Sequence, residues 1–257
     1  KNPTSDDRDK GMDEYVKNGA LAAIDAVSSI VPNEKIHLTG YCLGGTLAMI
    51  TASLMAHEGD NRLKSLTLFA AQGDFTEAGE IMLFVSHSEV AYLKSMMWSQ
   101  GYLDTKQMAG AFQMLRSYDL IWSRMVNDYL LGDRQPLFDL MAWNADATRM
   151  PYKMHSEYLE RLFLNNEFST GRYTVLGKPV APENITVPVF AVGTEKDHVA
   201  PWVSVHKIHL MVSGEVTFAL TSGGHNAGIV SEPGRKNRYY SIATRKAGLT
   251  YLPPEKW

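Results

Sequence analysis

The feature that most constrains this chain is a six-residue run, Gly40-Tyr41-Cys42-Leu43-Gly44-Gly45, set between a strand pattern and a long helix pattern. In KIHLTGY, Ile36 and Leu38 are bounded by a turn and a glycine, which predicts a short buried strand. LGGTLAMITASLMAH predicts a helix starting directly behind it. Cys42 falls at the junction. A nucleophile on so sharp a turn needs small residues two positions to either side, because side chains there would meet the adjoining strand and helix. That reading gives the task to Gly40 and Gly44. The first turn of the helix presents backbone N–H groups and the positive end of a dipole. Both favour a thiolate and a developing oxyanion, with the Leu43 amide as the expected donor. The same glycines would also suit the packing of an inert cysteine at a strand end, so the motif has to be weighed with its partners.

Those partners follow from a pass along the chain. Apolar positions from Asp13 to Val31 recur at helical spacing and predict a helix over 13–30, ended by Pro32 and Asn33. Beyond a Gly59–Asp60 turn, SLTLFAA reads as a second strand, which completes a parallel strand–helix–strand crossover. From 75 to 165 no strand pattern is evident. Helices are expected at 88–99, 104–117, 120–131 and 152–165, in a segment holding nine of the 13 methionines and three of the five tryptophans. Strand patterns resume at RYTVLG, at VPVFAVG (187–193) and at EVTFAL. Asp197 lies just past VPVFAVG, where the active sites of parallel sheets collect. His225 lies in SGGHNAG, just past EVTFAL. Nucleophile, acid and histidine in that order, on strand–turn–helix topology, give an α/β-hydrolase fold with Cys42, Asp197 and His225 as its triad. The core is then 1–74 with 166–257, and 75–165 is a helical cap inserted between sheet strands. Plainer readings exist: Asp197 as a helix cap before Pro201, His225 as a turn residue, or His198 as the base.

Composition narrows the function. A net charge of −3 gives no electrostatic reason to expect nucleic acid, and no apolar run reaches bilayer-spanning length, so a cytoplasmic protein is expected. One cysteine excludes an intrachain disulfide, and no ligand cluster has metal-binding spacing, so neither a metal nor a dissociable cofactor is expected. The opening KNPTSDDRDKG lacks a methionine, and only about 35 residues precede the elbow strand, where the fold normally has several strands. The N-terminal strands, with the second oxyanion donor, are therefore expected to be missing from this chain.

Four stretches taken together resemble the polyhydroxyalkanoate synthases: GYCLGGT, NDYLLG with FDLMAWNADATRMP, VPVFAVGTEKDHVAPW, and SGGHNAG. The resemblance covers nearly the whole chain. It implies polymerisation of (R)-3-hydroxyacyl-CoA into polyester through an acyl-cysteine on Cys42, with Asp197 and His225 in the family's catalytic roles. It also implies residence at the surface of storage granules and a homodimer contact through the cap. The histidine loop departs from many members, with Gly223-Gly224 before the histidine and Asn226 after it, where one glycine and an apolar residue are usual. Two other readings are a cysteine esterase or thioesterase on the same scaffold, and a non-catalytic granule-binding module.

Overall fold

The computed structural model describes residues 2–115, 122–133, 139–146 and 148–257. Its strands in chain order are β1 (Ile36–Tyr41), β2 (Leu63–Phe69), β3 (Tyr102–Leu103), β4 (Met150–Pro151), β5 (Thr174–Val175), β6 (Lys178–Pro179), β7 (Val189–Thr194), β8 (Val216–Thr221) and β9 (Tyr240–Arg245). Two compact units account for the chain, Lys1–Gly11 with Ser88–Ser156, and Met12–His87 with Glu157–Trp257.

The larger unit is built on a five-stranded sheet in the order β1-β2-β7-β8-β9. The first four strands run parallel, so their C-terminal ends share one side of the sheet, and β9 closes the edge antiparallel to β8. Central strands β7 and β8 are buried at most positions and rich in Val, Phe, Ala and Leu, as strands covered on both faces require. Helix Leu43–His57 buries Ala48, Met49, Ile50, Ala52, Leu54 and Met55. It carries apolar side chains almost all round, as a helix interior to a domain should. Met12–Ile30 is helical as expected, with a π-helical stretch at Val16–Leu21.

The smaller unit holds helices His87–Gln100 and Thr105–Leu115. Its first residues are tied in through the backbone: the amides of Lys153 and Met154 donate to the carbonyls of Arg8 and Lys10 at 3.0 and 3.1 Å. The Arg8 guanidinium lies 4.3 Å from the Trp98 ring centroid, a cation–π contact. Residues 116–117 and 120–121 of two expected helices, and Phe138 and Ala147 of the FDLMAWNADATRMP stretch, lie outside the described residues.

Two expectations need correction, and one strand was missed. Residues 75–165 do contain strand, since β3 pairs antiparallel with β4, but two residues a side cannot write an alternating pattern. RYTVLG does not extend the main sheet. Leu176 and Gly177 take φ of 50° and 73°, which folds β5 back on β6 as a tight hairpin of its own. The edge strand β9 escapes sequence reading because it is exposed at nearly every position and has no buried face to impose a period.

Beneath β8 the C-terminal segment closes an aromatic cluster. His206 has ring centroids of His209, Phe218, Trp257 and Tyr251 at 4.7, 4.8, 5.2 and 5.4 Å. Burial pushes the pKa of His206 down to about 4, and burial with the nearby His206 and Arg245 charges does the same to His209. Both folded pKa values lie below the ordinary 6.5, so between pH 6.5 and 4 the unfolded chain binds protons that the folded chain refuses. Stability is then fully present above about pH 6.5 and lost on acidification, by roughly 1–2 kcal/mol per histidine between pH 7 and 5. Urea titrations at the two pH values should show this drop, and His206→Phe should reduce it. An unchanged drop in that variant would place its source elsewhere.

Candidate active site

Cys42 follows the last residue of β1 and precedes the first of helix Leu43–His57, with φ 52° and ψ −125°. A non-glycine residue rarely takes this left-handed conformation, and it persists here because the surroundings over-determine it. The Cys42 amide donates to Phe69 O at 2.9 Å, while its carbonyl accepts from Gly45 N and Thr46 N. The strand before and the helix after are thereby held at a fixed angle. The helix starts at Leu43, so the Leu43 amide is among those with no intrahelical acceptor.

The glycines divide the steric work differently from expectation. A Cβ on Gly40 would fall 2.5 Å from both Gly44 O and Gly45 Cα, and one on Gly45 would fall 2.3 Å from Ala71 Cβ. A Cβ on Gly44 would meet nothing within 4 Å among the described residues. The crossing of strand and helix therefore needs Gly40 and Gly45. The assignment of that task to Gly44 is wrong, because position 44 turns away from the strand.

Asp197 and His225 come together through neighbouring strands. β7 and β8 pair in register up to Thr194 and Thr221. Beyond that point the ladder continues: Glu195 N donates to Thr221 O at 3.0 Å, and Lys196 N to Gly223 O at 2.8 Å. A Cβ on Gly228 would fall 2.5 Å from Thr194 Cγ2, so the histidine loop packs directly on the end of the acid strand. His225 Nδ1 then lies 2.8 Å from Asp197 Oδ2. Asp197 uses its other oxygen to accept from Val199 N and Ala200 N at 2.9 and 2.8 Å, and Thr194 Oγ1 adds a 3.2 Å bond to Oδ2. Asp197 therefore closes the turn ahead of Pro201 with one oxygen and holds His225 with the other, while the helix at Trp202–His206 has Pro201 at its N-cap and takes no side-chain cap from Asp197. His198 takes a different part, since its carbonyl accepts from Glu80 N at 3.1 Å.

The electrostatics follow from these contacts. Burial disfavours a charged imidazole at His225, but hydrogen bonds with Asp197 and Cys42, and the charges of both, outweigh it and push the pKa up to about 10. With Nδ1 taken by Asp197, Nε2 is the nitrogen left to the thiol. An imidazole held by a carboxylate on one nitrogen, with a thiol near the other, is the layout nucleophilic catalysis requires. Among the described residues, no group of three His, Cys, Asp or Glu is placed to share a metal ion.

Three further residues belong to the surroundings of the site and were not anticipated. Gln72, buried just past β2, donates from Nε2 to Val199 O at 3.0 Å while its backbone carbonyl accepts from Thr46 Oγ1 at 2.7 Å. It joins the nucleophile helix to the acid turn. Tyr158 packs edge-on against Phe75 and Phe163. Burial and the nearby Cys42 raise its phenol pKa. Tyr41 reaches the histidine loop. Of the three, Tyr41 left the clearest sequence signal, an aromatic residue directly before the candidate nucleophile.

Residues 2–230 match the α/β hydrolase fold family. The chain belongs to that family. This α/β hydrolase-fold chain is also similar to curated relatives. It is 39% identical over 239 residues to the poly(3-hydroxyalkanoate) polymerase subunit PhaC of Rhizobium meliloti (strain 1021), covering 93% of this chain and 39% of that protein. It is 40% identical over 238 residues to the poly(3-hydroxyalkanoate) polymerase of Methylorubrum extorquens, with the same coverage. The hydrolase-fold chain thus spans about two fifths of the length of the curated relatives it matches. No helix among the described residues is long and apolar enough to cross a membrane.

Proposed function

We propose that this chain forms part of a polyhydroxyalkanoate synthase, an acyltransferase that polymerises (R)-3-hydroxyacyl-CoA through a covalent acyl-cysteine on Cys42. The observation that carries the reading is the 2.8 Å bond between His225 Nδ1 and Asp197 Oδ2, with the nearby Cys42 thiol helping to raise the imidazole pKa, on a chain whose similar relatives are named poly(3-hydroxyalkanoate) polymerases.

In the proposed reaction His225 takes the thiol proton and the sulfur attacks the thioester carbonyl, whose oxygen becomes an oxyanion facing the Leu43 amide. The intermediate collapses by breaking the carbon–sulfur bond to coenzyme A, and the imidazolium protonates the departing thiolate. The product on Cys42 is again a thioester, so little free energy is lost. Transfer to an alcohol, which makes the lower-energy oxygen ester, therefore remains downhill. In that second half His225 removes the proton from the 3-hydroxyl of another acyl unit, its oxygen attacks the acyl-cysteine, and the sulfur leaves and is reprotonated. Asp197 is poorly suited to take the hydroxyl proton, because its side chain is fully buried and both oxygens are already engaged. It orients the imidazole and stabilises the charged ring.

The helical 75–165 segment is assigned the part of a cap and of a homodimer contact. Its exposed Tyr129, Leu130 and Leu131 suit residence beside an apolar polymer at a granule surface. The test is to give the complete protein (R)-3-hydroxybutyryl-CoA, following coenzyme A release and the product. Polymer with acyl-Cys42 in the quenched enzyme is expected. Free 3-hydroxybutyrate as the sole product would replace the synthase reading with a thioesterase.

A further inference from the structure

Tyr41 ends β1 and is bonded directly to Cys42, yet its side chain is engaged with a loop more than 180 residues away in sequence. Its ring lies against the imidazole of His225 with centroids 5.2 Å apart. Its hydroxyl is 3.1 Å from His225 O and also hydrogen-bonds the side-chain carbonyl of Asn226. One phenolic proton is therefore shared between acceptors on two consecutive residues of the histidine loop. Burial, with the charges of Cys42 and Asp197 nearby, raises the phenol pKa, so Tyr41 remains a donor at neutral pH.

Several other anchors of this loop run to the acid side. Lys196 N donates to Gly223 O, Thr221 Oγ1 donates to Gly228 O at 2.8 Å, and Gly228 packs on Thr194. They set His225 relative to Asp197 but leave its distance from the sulfur undetermined, because Cys42 hangs from β1, two strands away from β7. Parallel neighbours lie about 4.8 Å apart, so an untethered loop could keep its carboxylate bond and still swing off the thiol. Contacts from Tyr41 bridge that gap from the residue whose position is most tightly coupled to Cys42.

We propose that Tyr41, with Asn226 as its polar partner, is a positioning residue that clamps the histidine loop to the nucleophile elbow and so sets the separation of the Cys42 sulfur and the His225 ring. This rests on the Cys42–His225–Asp197 reading and adds to it a fixed geometry that does not depend on the acyl substrate. It also excludes Tyr41 as an oxyanion donor, since its single proton is already committed to the loop.

Alkylation of Cys42 by iodoacetamide tests the clamp without any acyl-CoA, followed in the complete protein by mass spectrometry of the Cys42 peptide from pH 5 to 10. His225→Ala reports the reactivity of a thiol without its base. Tyr41→Phe keeps the ring contact and removes the hydroxyl. It is expected to slow alkylation at pH 7 about tenfold, the usual worth of one such hydrogen bond, and to move the pH profile toward that of His225→Ala. Asn226→Ala should do the same to a smaller extent, about threefold, and the double variant should be no worse than Tyr41→Phe alone, because both act through one bond. Asn226→Ala carries the same test if the tyrosine variant fails to fold. Wild-type rate and profile in Tyr41→Phe, beside an altered His225→Ala, would overturn the clamp and leave the triad standing. An unaltered His225→Ala would overturn both. A slower rate with an unmoved profile would mean general loosening and would also reject the clamp.

Discussion

Cys42→Ala is expected to lower coenzyme A release from (R)-3-hydroxybutyryl-CoA by at least about 10³-fold, because no other group takes over the covalent step and only binding and oxyanion contacts remain. The variant should fold normally. The strain at position 42 belongs to a backbone with φ 52°, which alanine bears no worse than cysteine since both carry a Cβ. Cys42→Ser keeps a nucleophile in place but replaces a readily ionised thiol with a hydroxyl, and the first acyl product becomes an oxygen ester. Chain transfer from that ester to a second hydroxyl has lost its downhill drive, so the serine variant should accumulate acyl-enzyme rather than polymer. Coenzyme A release measured with a thiol reagent, together with the intact mass of the quenched protein, separates the two variants. Release at the wild-type rate in Cys42→Ala would remove sulfur from the mechanism.

Gly40→Ala is expected to cost at least about 3 kcal/mol of stability, or to prevent folding, while Gly44→Ala stays within about 1 kcal/mol of the native chain and can exceed it. The contrast comes from what each methyl would meet. At position 40 the obstacles are a backbone carbonyl oxygen and a backbone Cα, both 2.5 Å away, and neither can turn aside as a side chain would. At position 44 there is open space among the described residues, and alanine is the better helix former. Chemical denaturation of the two single variants measures the difference. Equal midpoints would mean that strand and helix can separate at the elbow, and that Gly40 does not hold them in contact.

Much of this was legible in the sequence because it concerned long, strongly patterned elements. The helix behind Cys42 and the strands that became β1, β2, β7 and β8 combine apolar runs with turn residues at their ends, and a buried environment leaves that mark on composition. Asp197 and His225 could be placed because each follows a central strand by a few residues, and topology carries both to the same side of the sheet. What escaped had no local signal. β9 has no buried face, β3 and β4 are too short to show a period, and the hairpin of β5 and β6 depends on two left-handed residues rather than on strand preference. The error at Gly44 has a related cause. Spacing along the chain locates a glycine relative to the nucleophile, but which glycine faces the strand depends on how the helix rotates as it leaves the turn. Gln72 and Tyr158 act through contacts distant in sequence, which a single chain does not display.

The ladder that runs on past β7 and β8 limits how this site can change its chain length. Residues inserted beyond Val230 lengthen a loop whose return to β9 is exposed and leave the imidazole where it is. A single residue inserted between Thr221 and His225 would displace the 2.8 Å amide bond at Gly223, rotate the ring away from its carboxylate and break acid from base at one stroke. Tolerance to insertion at this end of the sheet therefore changes abruptly past the anchors at Asn226 and Gly228, and variation in loop length should gather beyond them.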